Sequence, residues 1–137
     1  MQDWRRMAAP EIEVVRRFYR AWTEGDLPGM LAVVDPEVDA DPVLGVLYDR
    51  QRYRGHAGIA EWYAEVAELW RDGFEAHVED AWIRGDEVIA FVRLVGHRAG
   101  RSLDARIGVE CGFRDGRISS FVGHDAEEAA AALPPDR

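Results

Sequence analysis

Apolar and polar positions alternate with two different periods along this chain, and the change falls near residue 73. Val15, Phe18, Tyr19 and Trp22 recur at helical spacing and form one apolar stripe over 10–24. Pro10 and Glu11 suit a first helical turn, and Gly25 ends the segment. Asp26 then caps a second, short helix with Pro28 in its first turn and Leu27, Met30, Leu31 and Val34 on its buried side. Asp35-Pro36 is expected to stop that helix, because a residue before proline is pushed out of the helical region. Residues 37–53 read as a short strand and an irregular loop, and 43–53 is the natural lid candidate. A third helix is predicted over 58–71, where Ile59, Trp62, Tyr63, Val66, Leu69 and Trp70 fit the i, i+3, i+4, i+7 template.

Beyond Gly73 the period is two. Residues 74–84, 86–97, 102–114 and 117–124 read as strands, separated by Gly85-Asp86, a loop around Gly100, and Asp115-Gly116. Such short connections predict an antiparallel meander, and a last short helix over 125–133 stops at Pro134-Pro135. The expected fold is α+β: a curved antiparallel sheet wrapped around N-terminal helices as a half-open cone. Over 102–114, Leu103, Ala105, Ile107, Val109, Cys111 and Phe113 should face the helices, with Asp104, Arg106, Gly108, Glu110, Gly112 and Arg114 facing away. The preceding strand is apolar on both faces apart from Arg93, which calls for a cover on each side. A partner subunit on the outer face would supply one, so a homodimer is expected, with Arg93, Arg106 and Glu110 as candidate interface or outer-face charges.

Length and composition narrow the functional classes. A chain of 137 residues suits a single domain spanning 1–137, with its core at about 10–133. Its 17 basic residues stand against 26 acidic ones, a net charge of −9, so nucleic acid is a poor partner. No apolar run approaches the ~18–20 residues of a membrane span, and MQDWRRMAAPE lacks the apolar stretch of a signal peptide. The expected compartment is the cytoplasm, with no membrane contact. Cys111 is the only cysteine, which leaves no internal disulfide and no cysteine-based zinc site. His56, His77, His97 and His124 fall on different elements without ligand spacing, so no metal is expected, and no glycine-rich cofactor fingerprint is present.

The segments Phe18-Tyr-Arg-Ala-Trp-Thr-Glu-Gly-Asp26, Tyr53-Arg-Gly-His-Ala-Gly-Ile-Ala-Glu-Trp-Tyr63 and Phe113-Arg-Asp-Gly-Arg-Ile118 resemble the nuclear-transport-factor-2-like superfamily. Its SnoaL-like and ketosteroid-isomerase-like branches are the most similar, and the resemblance covers about residues 10–133. It implies a cystatin-like cone enclosing a pocket, usually in a dimer. It does not imply one activity, since isomerases, cyclases, epoxide hydrolases, dehydratases and binding domains share this scaffold.

Asp41, in Asp39-Ala-Asp-Pro-Val-Leu-Gly45, is similar to the ketosteroid isomerase segment whose Asp-Pro aspartate is the general base. At the mouth of an apolar cavity such a carboxylate shuttles a proton beside a carbonyl; the competing assignment is a turn aspartate. The isomerases also use a tyrosine and a protonated aspartic acid as oxyanion donors. The resemblance puts these positions on Phe18 and Val109, with Tyr19 and Glu110 each one residue away. Phe18, Tyr19, Trp22, Trp62, Tyr63, Val109, Phe121 and His124 are the candidate substrate-binding residues. Two main functions stay open: an isomerase- or cyclase-type enzyme acting on a hydrophobic carbonyl or polycyclic substrate, and a non-catalytic binding domain for a small hydrophobic molecule. Epoxide hydrolysis is a third, and needs an inward Asp–Arg–Asp arrangement that 102–114 does not supply.

Overall fold

The expected helical stripe is realised in a computed structural model, which describes residues 9–42 and 52–133. Helix α1 (Ala9–Thr23) buries Val15, Phe18, Tyr19 and Trp22, and the chain leaves it through Gly25 at φ 73°, a left-handed conformation glycine adopts without strain. Asp26 caps α2 (Leu27–Ala32) by accepting the Gly29 N–H at 3.0 Å. Helix α2 ends earlier than the Asp35-Pro36 signal suggested, because β1 (Val34–Asp41) has already begun. Pro36 sits instead where β1 shifts register between Val34 and Asp39, an irregularity that tolerates a missing N–H. After β2 (Tyr53–Arg54), α3 (Gly55–Leu69) starts before residue 58, and the His56 ring lies 3.0 Å from the Val34 carbonyl oxygen.

Strands β3 (Gly73–Arg84), β4 (Glu87–Arg98), β5 (Arg101–Arg114) and β6 (Arg117–Asp125) form the expected antiparallel meander, and α4 (Ala126–Ala132) follows. The six-stranded order is β2-β1-β6-β5-β4-β3. Purely antiparallel pairing is corrected at one place: β1 runs parallel to β6, with Ala40 opposite Phe121 and Asp41 opposite Val122. The sheet is therefore mixed, curved and unclosed. No helix among the described residues is long and apolar enough to cross a membrane.

Register decides what each face carries. Ala40, Val88, Ala90, Val92, Val109, Cys111, Ile118 and Phe121 point to the helices and are buried. Opposite them, Ile89 and Phe91 are also buried, as the doubly apolar strand required. The chain's own α4 covers them through Ala129 and Leu133, with Trp82 alongside. Gly108 makes that docking possible: a Cβ there would lie 2.2 Å from the Ala129 Cβ. Asp125 caps α4 by accepting the Glu127 N–H at 2.9 Å. The outer-face charges pair within the chain: Arg93 grips Asp104 at 2.9 and 2.7 Å, while Arg106 reaches Glu79 at 3.0 Å and lies over the Phe91 ring. Residues 43–51, most of the lid candidate, lie outside the described residues.

Candidate functional site

The concave side is built from rings. Helix α1 supplies Phe18, Tyr19 and Trp22, α3 supplies Trp62, and β6 supplies Phe121. Phe18 and Phe121 are 4.7 Å apart between ring centres, and the Trp22 ring meets Trp62 edge-on at 4.7 Å. Tyr53 stacks on Trp62 at 6.0 Å, with its hydroxyl donating to Glu65. Fully buried, Phe18 and Phe121 belong to the packed interior, as does Val109 at 3% exposure.

A slot lies inside, lined by described residues. Tyr19 and Trp22 of α1, Trp62 and Val66 of α3, and Phe74 and Ala76 of β3 line it. Leu94, Ile107 and Pro42 complete the wall. Its free volume is about 20 Å³, room for about one water. Of the residues singled out from the sequence, Tyr19, Trp22 and Trp62 border this slot, whereas Phe18, Val109 and Phe121 lie behind it. Tyr63 is half-buried and touches Trp22, with its hydroxyl facing Gly25. Leu94 and Ile107 were legible as inward strand positions, but nothing local in the sequence marks Pro42 or Ala76 as wall residues.

Two hydrogen-bonding groups stand among these rings. Tyr19 is 4% exposed, and burial, with a smaller push from Cys111, holds its phenol well above the usual tyrosine value. The phenol stays protonated and acts as a donor. Trp62 is 6% exposed, and its indole Nε1–H is buried without an acceptor among the described residues. An unmade bond of this kind costs ~1–3 kcal/mol. Asp39 Oδ1 and the Trp82 Nε1–H are also unpaired, but neither borders the slot. Inward positions of β5 carry no carboxylate, so the Asp–Arg–Asp arrangement of an epoxide hydrolase is missing from that strand.

Ionisable chemistry sits on the opposite face. Asp41 is paired with Val122 in register, and its neighbour Ala40 points inward at 0% exposure. Strand alternation thus puts the Asp41 position on the face opposite Ala40. His124 lies opposite Gly108 on the convex face, and its Nε2 is 2.7 Å from Glu110 Oε1. Glu110 faces away from the interior, as the alternation required, and so cannot replace an interior donor from where it stands. Burial, followed by the nearby Glu110 charge, raises the Glu87 carboxyl above the ordinary range.

The SnoaL-like domain profile matches residues 15–121. The chain belongs to the SnoaL-like domain family. No curated protein matches it in sequence. Among solved structures, this SnoaL-like chain is similar to TerC co-crystallized with polyporic acid, at 23% identity and TM-score 0.75 over 90% of this chain and 97% of that one. A provisionally named SnoaL-like polyketide cyclase from Jannaschia sp. CCS1 is 18% identical, with TM-score 0.69 over 93% of this chain and 94% of its own. A cystatin-like fold protein from Xanthomonas campestris is 18% identical, with TM-score 0.71 over 85% and 90% of the two chains. At these identities the likeness establishes the fold, and a SnoaL-like site must be argued from its residues.

Proposed function

We propose that the concave interior binds a small, flat, apolar molecule carrying a carbonyl oxygen, and that Trp62 Nε1–H and the Tyr19 phenol donate to that oxygen. The observation that carries this reading is the orphan indole N–H of Trp62 beside the slot. A carbonyl acceptor repairs that deficit, and the surrounding rings offer stacking faces. The resemblance to TerC, which was crystallized with polyporic acid, and to a protein provisionally named as a polyketide cyclase supports the same ligand class. With about 20 Å³ free, a ring enters only as wall side chains move, so binding is coupled to opening of the slot. The cytoplasmic setting and the homodimer belong to this reading too. Sedimentation velocity checks the dimer, which has the convex surface outside α4 to use.

The test pairs 2-acetonaphthone with 2-ethylnaphthalene, which keeps the shape and lacks the oxygen. Trp62→Phe should weaken ketone binding about five- to tenfold, the worth of one hydrogen bond, and change hydrocarbon binding far less. Equal losses for both probes would reject the donor role.

A second reading makes the protein an isomerase- or cyclase-type enzyme with Asp41 as general base. Pro42, its chain neighbour, is a wall of the slot, and this favours it. The reading requires the end of β1 to turn the carboxylate inward. It predicts turnover of a β,γ-unsaturated cyclic ketone that Asp41→Asn abolishes while 2-acetonaphthone still binds. Turnover unaffected by the substitution, or absent from the parent, removes it.

A further inference from the structure

The slot has a neighbour on the other side of Tyr19. Arg16, Tyr19, Arg20 and Thr23 follow one another at i, i+3, i+4 and i+7 and share one stripe of α1. That stripe faces β3, the edge strand of the sheet, and between them runs an open groove of about 270 Å³. Tyr19 and Ala76 border both the groove and the slot, so at this point the two spaces are separated by little more than one ring. Thr23 pins the wall, its hydroxyl accepting the Ala76 N–H at 2.9 Å and donating to the Ala76 carbonyl at 3.1 Å. The Tyr19 ring is the side chain of α1 that stands between the two spaces.

Two arginines, Arg16 and Arg20, line the groove together with His77 and the acid Glu24. Arg20 approaches Glu13 at 3.8 Å, and His77 Nε2 lies 2.7 Å from Glu75. Arg16 is half-buried and makes no ion pair among the described residues. A guanidinium partly removed from water and left unpaired suits a carboxylate, which it binds through two parallel hydrogen bonds.

We propose that this groove takes a carboxylate borne by the interior ligand, with Arg16 as its counter-ion and the Tyr19 ring as the partition that gives way. The inference rests on the slot being a ligand site, and it sets the substrate class: an aromatic or polycyclic carboxylic acid, apolar at one end and anionic at the other.

The probes are 2-naphthoate and the neutral 2-acetonaphthone, titrated calorimetrically at low ionic strength into the parent chain and Arg16→Gln. In the parent, the acid should bind about tenfold tighter than the ketone, as a charge-assisted pair allows, and the two should compete. Arg16→Gln should remove that advantage and shift ketone affinity by less than about twofold. An acid-to-ketone ratio unchanged by Arg16→Gln, or simultaneous binding of both probes, overturns the groove proposal and leaves the slot reading standing. Failure of the acid alone to bind the parent overturns the groove proposal, and failure of the ketone to bind overturns both.

Discussion

The two faces of one sheet hold different kinds of chemistry. On the concave side, Phe18, Tyr19, Trp22, Trp62 and Phe121 meet ring to ring, with a phenol and an indole N–H as the polar groups among them. On the convex side stand Arg93 with Asp104, Arg106 with Glu79, and Glu110 between Glu87 and His124. Strand alternation alone makes this division, since a one-residue step along β5 exchanges Val109 for Glu110. On the proposed reading, interior recognition rests on shape and hydrogen-bond donation. Any carboxylate that acts on an interior ligand has to reach it from outside the slot.

The largest test of that division removes a ring. Phe18 is fully buried against Tyr19, Trp22, Trp62 and Phe121. Phe18→Ala should cost about 3–5 kcal/mol in urea unfolding, and it should enlarge the slot region so that 2-ethylnaphthalene binds the variant more tightly. A loss near zero would mean that the concave rings are loosely packed, against the geometry described.

A smaller effect is expected from the convex seam. Valine at Gly108 puts a Cβ 2.2 Å from Ala129 and 3.2 Å from the Phe91 ring. Gly108→Val should therefore cost about 1–3 kcal/mol by displacing α4. Adding Ala129→Gly should recover part of that loss although glycine weakens the helix itself, a non-additivity that marks direct contact. Purely additive losses would show that α4 is not seated on Gly108. Because the seam is on the other face, binding of 2-acetonaphthone should survive in Gly108→Val.

These elements also show how far the sequence reaches. The meander was legible because Gly85, Gly100 and Gly116 punctuate long period-two runs, and α1 because four apolar positions keep helical phase. Pro36 misled, since its effect on the preceding residue is local and β1 absorbs it in a register shift. The parallel β1–β6 pairing depends on a partner about 80 residues away, beyond any local pattern. That pairing also decides the Asp41 position: the Asp-Pro pattern suggested a base, and the register with Val122 puts that position on the face opposite Ala40. The doubly apolar β4 announced a second cover correctly, but composition could not distinguish a partner subunit from the chain's own α4. His124–Glu110 was missed as a pair although both lie on neighbouring strands, because their closeness needs the β5–β6 register.

The smallest predicted effect separates the faces by their response to pH. Burial, and then the adjacent Glu110, hold the Glu87 carboxyl above its ordinary range, while Arg84 pulls weakly the other way. The folded chain therefore binds this proton more tightly than the unfolded chain does. Stability from the group is full below the unfolded pKa and is lost as pH rises through the folded one. Glutamine keeps a polar group beside Glu110 and does not ionise, so Glu87→Gln should raise the thermal midpoint slightly at neutral pH relative to the parent. Near pH 3.5, below the ordinary range of about 4.3, the two should converge. A lower midpoint for Glu87→Gln at neutral pH would mean that Arg84 outweighs burial. Tyr19→Phe supplies the concave counterpart: its phenol is held protonated far above neutrality, so its effect should not vary between acid and neutral pH. A pH-sensitive convex substitution beside a pH-insensitive concave one is the signature of a sheet that keeps its charges on one side.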